Sequence, residues 1–302
     1  MTRPSRCIAV IGRQGQLARE LADLAWPADL RPHFLGRAEF DLADAGTLQS
    51  RLATLRPIAI INTAAHTAVD LCESEPALAH HLNADLPAML AQLAFAAGIP
   101  LVHVSTDYVF AGDQPRARCE EDLAAPQSVY ARTKLAGEAA IRASGASSII
   151  VRSAGLFGSH GQNFLKTILA KAAAGGAQPI RMVADQISTP TPAAALAAAL
   201  QRMAIDLAEG RSLPPLLHFA GQPPVSWFDF TAAILAALSR TGTAPLPDLI
   251  PVRLGDIPRA AARPLFSALD CNLARQIGYP PPDWCAALDP LVARLSKERI
   301  AA

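Results

Sequence analysis

Neither sign of charge dominates this chain: 27 Lys and Arg stand against 26 Asp and Glu over 302 residues, a net of +1. That balance gives no global reason to expect nucleic acid or an anionic membrane as partner. Long apolar runs are missing as well. Tracts such as MLAQLAFAAG and AAALAAAL fall well short of the roughly 18 residues that span a bilayer. The start, MTRPSRCIAVIG, has too short an apolar run for a signal peptide and leads into a glycine. The five cysteines (Cys7, Cys72, Cys119, Cys271, Cys285) make no CxxC or zinc spacing, and the histidines make no HExxH. Reduced thiols, a cytoplasmic location and no metal are expected. Tyrosine is scarce, with three in the chain, and there are only four lysines.

What is present is a globular composition, 51% hydrophobic and 18% charged. Short apolar runs at 7–12, 32–36, 58–62, 100–105, 148–152 and 216–221 read as buried strands. Helices are expected near 15–26, 44–55, 75–97, 127–144 and 191–208. This alternation implies an α/β fold, a Rossmann-type doubly wound parallel sheet. Beyond residue 155 the alternation loosens and proline rises, which suggests a smaller C-terminal substrate-binding lobe. The expected division is 1–152 plus about 187–222 for a dinucleotide-binding domain, and about 153–186 plus 223–302 for the lobe.

Four stretches carry chemistry. VIGRQGQLARE places Gly12, Gly15 and Ala18 between a strand and a helix, the context in which glycines let a backbone approach a pyrophosphate at a helix N-terminus. A lone glycine turn is weak evidence; the strand before it and the helix after it strengthen the reading. The next strand ends at FLGRAEF, with Arg37 where an NAD-binding site would carry an acid, so Arg37 is a candidate for the 2′-phosphate of NADP rather than an ordinary solvated arginine. STDYVF (105–110) leaves the fourth strand at the sheet's carboxyl edge, where Thr106 is either a turn residue or a donor to a carbonyl oxygen. SVYARTKLAGE puts Tyr130 and Lys134 at i and i+4, on one face of a helix. Chance predicts only about 0.04 such pairs from 3 × 4/302. A nearby ammonium should favour the phenolate and lower the tyrosine pKa, making Tyr130 a proton donor to an oxygen whose carbon receives hydride.

These residues, with NTAAHTAVDLCESEP, QNFLKTIL, ADQISTPT, SWFDF and RPLFSALD, resemble the extended short-chain dehydrogenase/reductases, and within them the dTDP-4-dehydrorhamnose reductase group. The resemblance runs over nearly the whole chain. It implies Thr106, Tyr130 and Lys134 as the catalytic set and NADP(H) as cofactor, with NADH also admissible. The cofactor would meet Gly12, Gly15, Gln16 and Leu17, Arg37, Asp41 and Leu42 near the adenine end, Ala64 and Ala65 beside the pyrophosphate, and Tyr130 and Lys134. A nucleotide-sugar substrate would meet Val69, Thr106, Asp107, Tyr108, Gly155, Asn163, Arg263, Pro264 and Ser267. Trp227 reads as a core residue of the second lobe. A homodimer is left open.

The implied reaction is reduction of the 4-keto group of dTDP-6-deoxy-L-lyxo-4-hexulose to dTDP-L-rhamnose. Gly155 departs from the group, which carries a tryptophan there against the sugar, so another nucleotide-linked 4-keto-6-deoxysugar is an alternative. Phe157 or Phe266 would then refill part of that space. Tyr108 stands where related dehydratases carry an acid, which disfavours dehydration. The reading from a different class is a non-catalytic NADP-binding regulatory subunit of the same superfamily.

Overall fold

The computed structural model describes residues 6–36, 45–173, 178–242 and 245–300. Its first half runs β1 (Arg6–Ile11), α1 (Gln16–Asp23), β2 (Leu30–Leu35), α2 (Ala45–Leu55), β3 (Ala59–Asn62), α3 (Val69–Ser74), α4 (Pro76–His80), α5 (Leu86–Ala97), β4 (Leu101–Thr106), α6 (Val129–Ala143) and β5 (Ser148–Ser153). The second half follows with β6 (Leu156–Phe157), α7 (Phe164–Ala173), β7 (Ile180–Val183), β8 (Ile187–Ser188), β9 (Thr191–Pro192), α8 (Ala193–Ala208), β10 (Leu216–His218), β11 (Val225–Ser226), α9 (Trp227–Ser239), β12 (Leu249–Val252), α10 (Asn272–Gln276) and α11 (Trp284–Ile300).

Six strands form one sheet in the order β10-β5-β4-β3-β1-β2, every pair parallel. Strands covered on both faces need continuous apolar sequence, and AIIN of β3 is buried at all four positions. Each crossover needs a helix, which explains the alternation along the sequence. α8 buries Ala193, Leu196, Ala197, Ala199, Leu200, Met203 and Ala204, a three-and-four spacing that lays one face on α1 and β3. Each buried leucine among them contributes roughly 1.5–3 kcal/mol. The alanines let the helix lie close.

One hydrophobic cluster joins β1, β3, β4 and β5 to α8; another joins Leu86, Leu90, Ala91 and Ala94 of α5 to the opposite face of the sheet. A separate cluster gathers Phe157, Leu165, Ile168, Phe230, Ile234, Trp284 and Leu288. The 187–222 segment packs on the sheet through α8 and β10. Leu269, Cys271, Ala274 and Tyr279 also pack in the sheet's cluster, although sequence position placed them with the smaller lobe. Their apolar side chains follow the nearest uncovered sheet face rather than their order in the chain.

α4 and α5 are joined through a π-helical turn at His81–Asp85. Asn83 of that turn is fully buried. It accepts from the His66 amide at 2.8 Å and donates to the His66 carbonyl and Thr133 Oγ1, both at 3.1 Å. The widened turn thus ties the loop after β3 to α6. Such turns concentrate near functional sites.

Candidate active site

The strand order reverses at β1, whose neighbours are β2 on one side and β3 on the other. Open α/β sheets bind ligands at the carboxyl ends of strands beside such a point. A cavity of about 550 Å³ lies there, reaching from the Gly15–Leu17 turn past Thr106, Tyr130 and Lys134 to Gly155 and Trp227. Among the sequence-derived candidates, Gly15, Gln16, Leu17, Ala65, Val69, Thr106, Asp107, Tyr108, Tyr130, Lys134 and Gly155 line it.

Thr106 ends β4, and its Oγ1 donates to Asp107 Oδ1 at 3.1 Å and accepts from the Tyr108 amide at 3.2 Å. Tyr130 stands in the first turn of α6, whose N-cap Ser128 accepts from the Ala131 amide at 3.2 Å. The Tyr130 ring meets that of Tyr108 edge-on, with centroids 6.2 Å apart. Burial pushes its phenol well above the ordinary tyrosine range, and a hydrogen bond with Thr106 pulls it part of the way back. This reverses the lowering expected from the sequence. Lys134 does not supply it because Nζ is held elsewhere, donating to the Val104 carbonyl at 2.7 Å and lying 3.2 Å from His103 Nε2. Burial lowers Lys134 itself to about 8, against the pull of Glu138 one turn along. Glu138, fully buried, accepts from Arg152 Nε and Nη2 at 2.9 and 2.7 Å, and from Ser105 Oγ at 2.6 Å.

Asp107 is also buried, and desolvation raises its carboxyl to about 7 while bonds from Ser267 and Thr106 oppose the rise. Its Oδ2 has no partner. Asp107 thus stands at the cavity wall with one carboxyl oxygen buried and unpartnered.

The dinucleotide end fits a pyrophosphate-bearing cofactor on three observations. Gly12 has φ +102°, and a Cβ there would meet Thr63 Oγ1 at 2.7 Å, so only glycine makes this turn. A Cβ on Gly15 would project into open space. Gln16 Nε2 is a buried donor without a partner. Ala64 is fixed by its amide, which donates to Asn62 Oδ1 at 3.1 Å. Arg37, Asp41 and Leu42 lie outside the described residues.

At the other end, Arg263 pairs with Asp70 at 2.8 Å and lies 5.9 Å from the Tyr108 ring centroid, linking the 261–267 loop to α3 beside the cavity. The Pro264 carbonyl accepts from Gln186 at 3.1 Å, and Ser267 is fully buried against Ser188. These three stand behind the lining. Asn163 does not line the cavity either. Its Oδ1 accepts from the Lys166 amide at 3.1 Å and its Nδ2 donates to the Gly158 carbonyl at 3.0 Å, so its polar atoms are spent on the start of α7. Gly161 and Gln162 face the cavity instead.

The space beside Gly155 is taken by Trp227, not by Phe157, which is fully buried in the second core. Trp227 packs one side on Phe164, centroids 4.5 Å apart, and still reaches the cavity. The core reading of Trp227 therefore describes only part of its role. Thr63, Ser153, Gln162 and Ser188 also line the cavity; Thr63, Gln162 and Ser188 lie in stretches that carry the family resemblance, but none stands out there as a site residue. Among the described residues, Glu20, Asp23 and His160 gather closely enough to hold a cation, at a spacing no motif announces. His160 Nε2 pairs with Asp23 at 2.6 Å, and Glu20 accepts from the Ser159 amide at 3.2 Å.

Comparison with known proteins shows the family. A dTDP-4-dehydrorhamnose reductase of Sinorhizobium fredii is 36% identical over 92% of this chain and 93% of its own length. A protein of Streptomyces antibioticus named a probable dTDP-4,6-dihydroxy-2-methyloxan-3-one 4-ketoreductase is 34% identical, with 92% of each chain covered. The crystal structure of the dTDP-4-dehydrorhamnose reductase of Bacillus anthracis in complex with NADP superposes with a TM-score of 0.87 at 29% identity, covering 95% of this chain and 98% of that one. The family described as RmlD substrate binding domain matches residues 6–297, and the chain belongs to that family, the dTDP-4-dehydrorhamnose reductases.

Proposed function

We propose that this protein reduces the 4-keto group of dTDP-4-dehydro-6-deoxy-L-mannose with NADPH, giving dTDP-L-rhamnose. The observation that carries the reading is the meeting of Thr106, Tyr130 and Lys134 on one cavity wall, with the Gln14–Leu17 turn at the other end of the same cavity. NADPH, when bound, supplies the hydride. Gly12, Gly15, Gln16, Leu17, Ala64 and Ala65 would hold it, with Arg37 taking the 2′-phosphate and Asp41 and Leu42 beside the adenine. Thr106 Oγ1, its hydrogen turned away from Asp107 Oδ1, would donate to the sugar carbonyl oxygen, and Tyr130 gives that oxygen its proton as the alkoxide forms. A phenol raised by burial stays protonated until the reaction, as a reduction requires. Lys134, whose Nζ bonds to the Val104 carbonyl rather than to Tyr130, then returns a proton to the phenolate through water.

Val69, Asp107, Tyr108 and Gly155 form the sugar-nucleotide end of the reading, backed by Arg263, Pro264 and Ser267. The sheet domain carries the cofactor, and the smaller lobe brings Trp227 to the sugar. The five free thiols support a reducing, cytoplasmic location. No helix among the described residues is long and apolar enough to cross a membrane.

A second reading, reduction of a different nucleotide-linked 4-keto-6-deoxysugar, is favoured by Gly155 and by the Streptomyces relative. Loss of NADPH absorbance with a panel of dTDP-4-keto sugars separates the two. Fastest turnover of the rhamnose precursor supports the first; preference for another sugar replaces it.

A further inference from the structure

His103 sits fully buried on β4, three residues before Thr106 at the ligand-facing end of that strand. Its imidazole spans two polar neighbours. Nδ1 lies 3.0 Å from Asn62 Nδ2, and Nε2 lies 3.2 Å from Lys134 Nζ. The orientation of Asn62 is set by a group that cannot turn around: the Ala64 backbone amide donates to Asn62 Oδ1 at 3.1 Å. Asn62 therefore presents its NH₂ to His103, and Nδ1 must accept. A neutral imidazole that accepts at Nδ1 carries its proton on Nε2. That proton points at Lys134 Nζ, which satisfies its own N–H on the Val104 carbonyl at 2.7 Å. An ammonium has no lone pair to receive it; a neutral amine has one.

We propose that His103 is a positioning residue for Lys134, presenting a fixed Nε2–H to an uncharged lysine amine and so setting the pH above which the site loses its ammonium. The inference rests on the reductase reading for its kinetic consequence, but not for its tautomer. The groups around Lys134 are consistent with it. On α6, Glu138 favours the ammonium, yet both its oxygens are engaged by Arg152 of β5, Ser105 of β4 and Arg142. Tyr130, on the same helix, is held as a phenol by burial, as is much of Asp107 beyond β4 as its acid. His103 is itself kept neutral chiefly by desolvation.

The proton balance shows why this matters. The Tyr130 O–H bond breaks as the sugar O–H bond forms. An N–H bond of the Lys134 ammonium then breaks to restore the phenol, and lysine is recharged from water. Only the ammonium form completes that cycle, so turnover falls as pH rises through the lysine's pKa.

The first test uses the unaltered protein with ¹⁵N-labelled histidine. Its long-range ¹H–¹⁵N NMR spectrum should show a buried imidazole protonated at Nε2 and bare at Nδ1; the opposite tautomer overturns the proposal. The second is His103→Gln, whose side-chain oxygen can turn to accept from an ammonium. The basic limb of its kcat profile should move up by about one pH unit or more. A limb that stays in place, with NADPH affinity and melting temperature preserved, overturns it. Absence of reductase activity in the wild type would instead count against the functional reading and leave the tautomer result standing.

Discussion

Gly155 and Trp227 face one another: a Cβ on Gly155 would stand 3.4 Å from Cη2 of the Trp227 indole, and 3.3 Å from Cα of Pro190. Gly155 also has φ +52°, which L side chains adopt at a cost. Gly155→Trp should therefore weaken sugar binding and destabilise the fold rather than restore an aromatic wall. Trp227→Ala should raise the KM for the nucleotide sugar. Losing a ring face of perhaps 60–100 Å² removes about 1.5–2.5 kcal/mol, or roughly 10- to 70-fold. Steady-state kinetics decide it; an unchanged KM would mean that the indole does not touch the sugar.

Tyr130→Phe keeps the ring against Tyr108 and removes only the proton. Turnover should fall by about 10²–10⁴-fold with NADPH affinity nearly intact. More than half of the wild-type rate would remove Tyr130 from the mechanism. Lys134→Met should lower both turnover and cofactor affinity.

Stability should respond to pH through two buried groups of opposite sense. Asp107, raised from 3.8 to about 7, keeps its proton longer in the folded protein, so its contribution is present below about pH 4 and is lost as pH rises to 7. Lys134, lowered from 10.5 to about 8, gives up its proton sooner when folded, so stability rises with pH from about 8 to 10.5. These two groups together place a shallow minimum between about pH 7 and 8. Urea unfolding between pH 4 and 10 measures it. In Asp107→Asn the fall between pH 4 and 7 should shrink, and an unaltered slope would mean that Asp107 stays ionised.

Selectivity for NADPH should depend on Arg37. If Arg37 meets the 2′-phosphate, Arg37→Ala should remove a charge-assisted bond worth roughly 1.5–3 kcal/mol, about 10- to 150-fold in NADPH affinity, and leave NADH almost untouched. Equal losses for both cofactors, measured by fluorescence titration, would move the 2′-phosphate elsewhere.

The parallel sheet and the cofactor turn were legible because their causes are local. Buried parallel strands must be continuously apolar, the helices between them repeat near 3.6 residues, and Gly12 has a left-handed backbone that its neighbours demand. The Tyr130–Lys134 pair was legible for the same reason, since helix geometry puts i and i+4 on one side. The protonation of that pair was not. Burial outweighs the attraction expected from spacing alone, and the partners of Lys134 come from β4, thirty or more residues earlier. Trp227 and Gly155 are likewise 72 positions apart, and only the packing of α9 in the second hydrophobic cluster brings the indole to the glycine. Local sequence determined which elements form and which chemical groups they carry. Tertiary packing decided which groups meet, and how much water each retains.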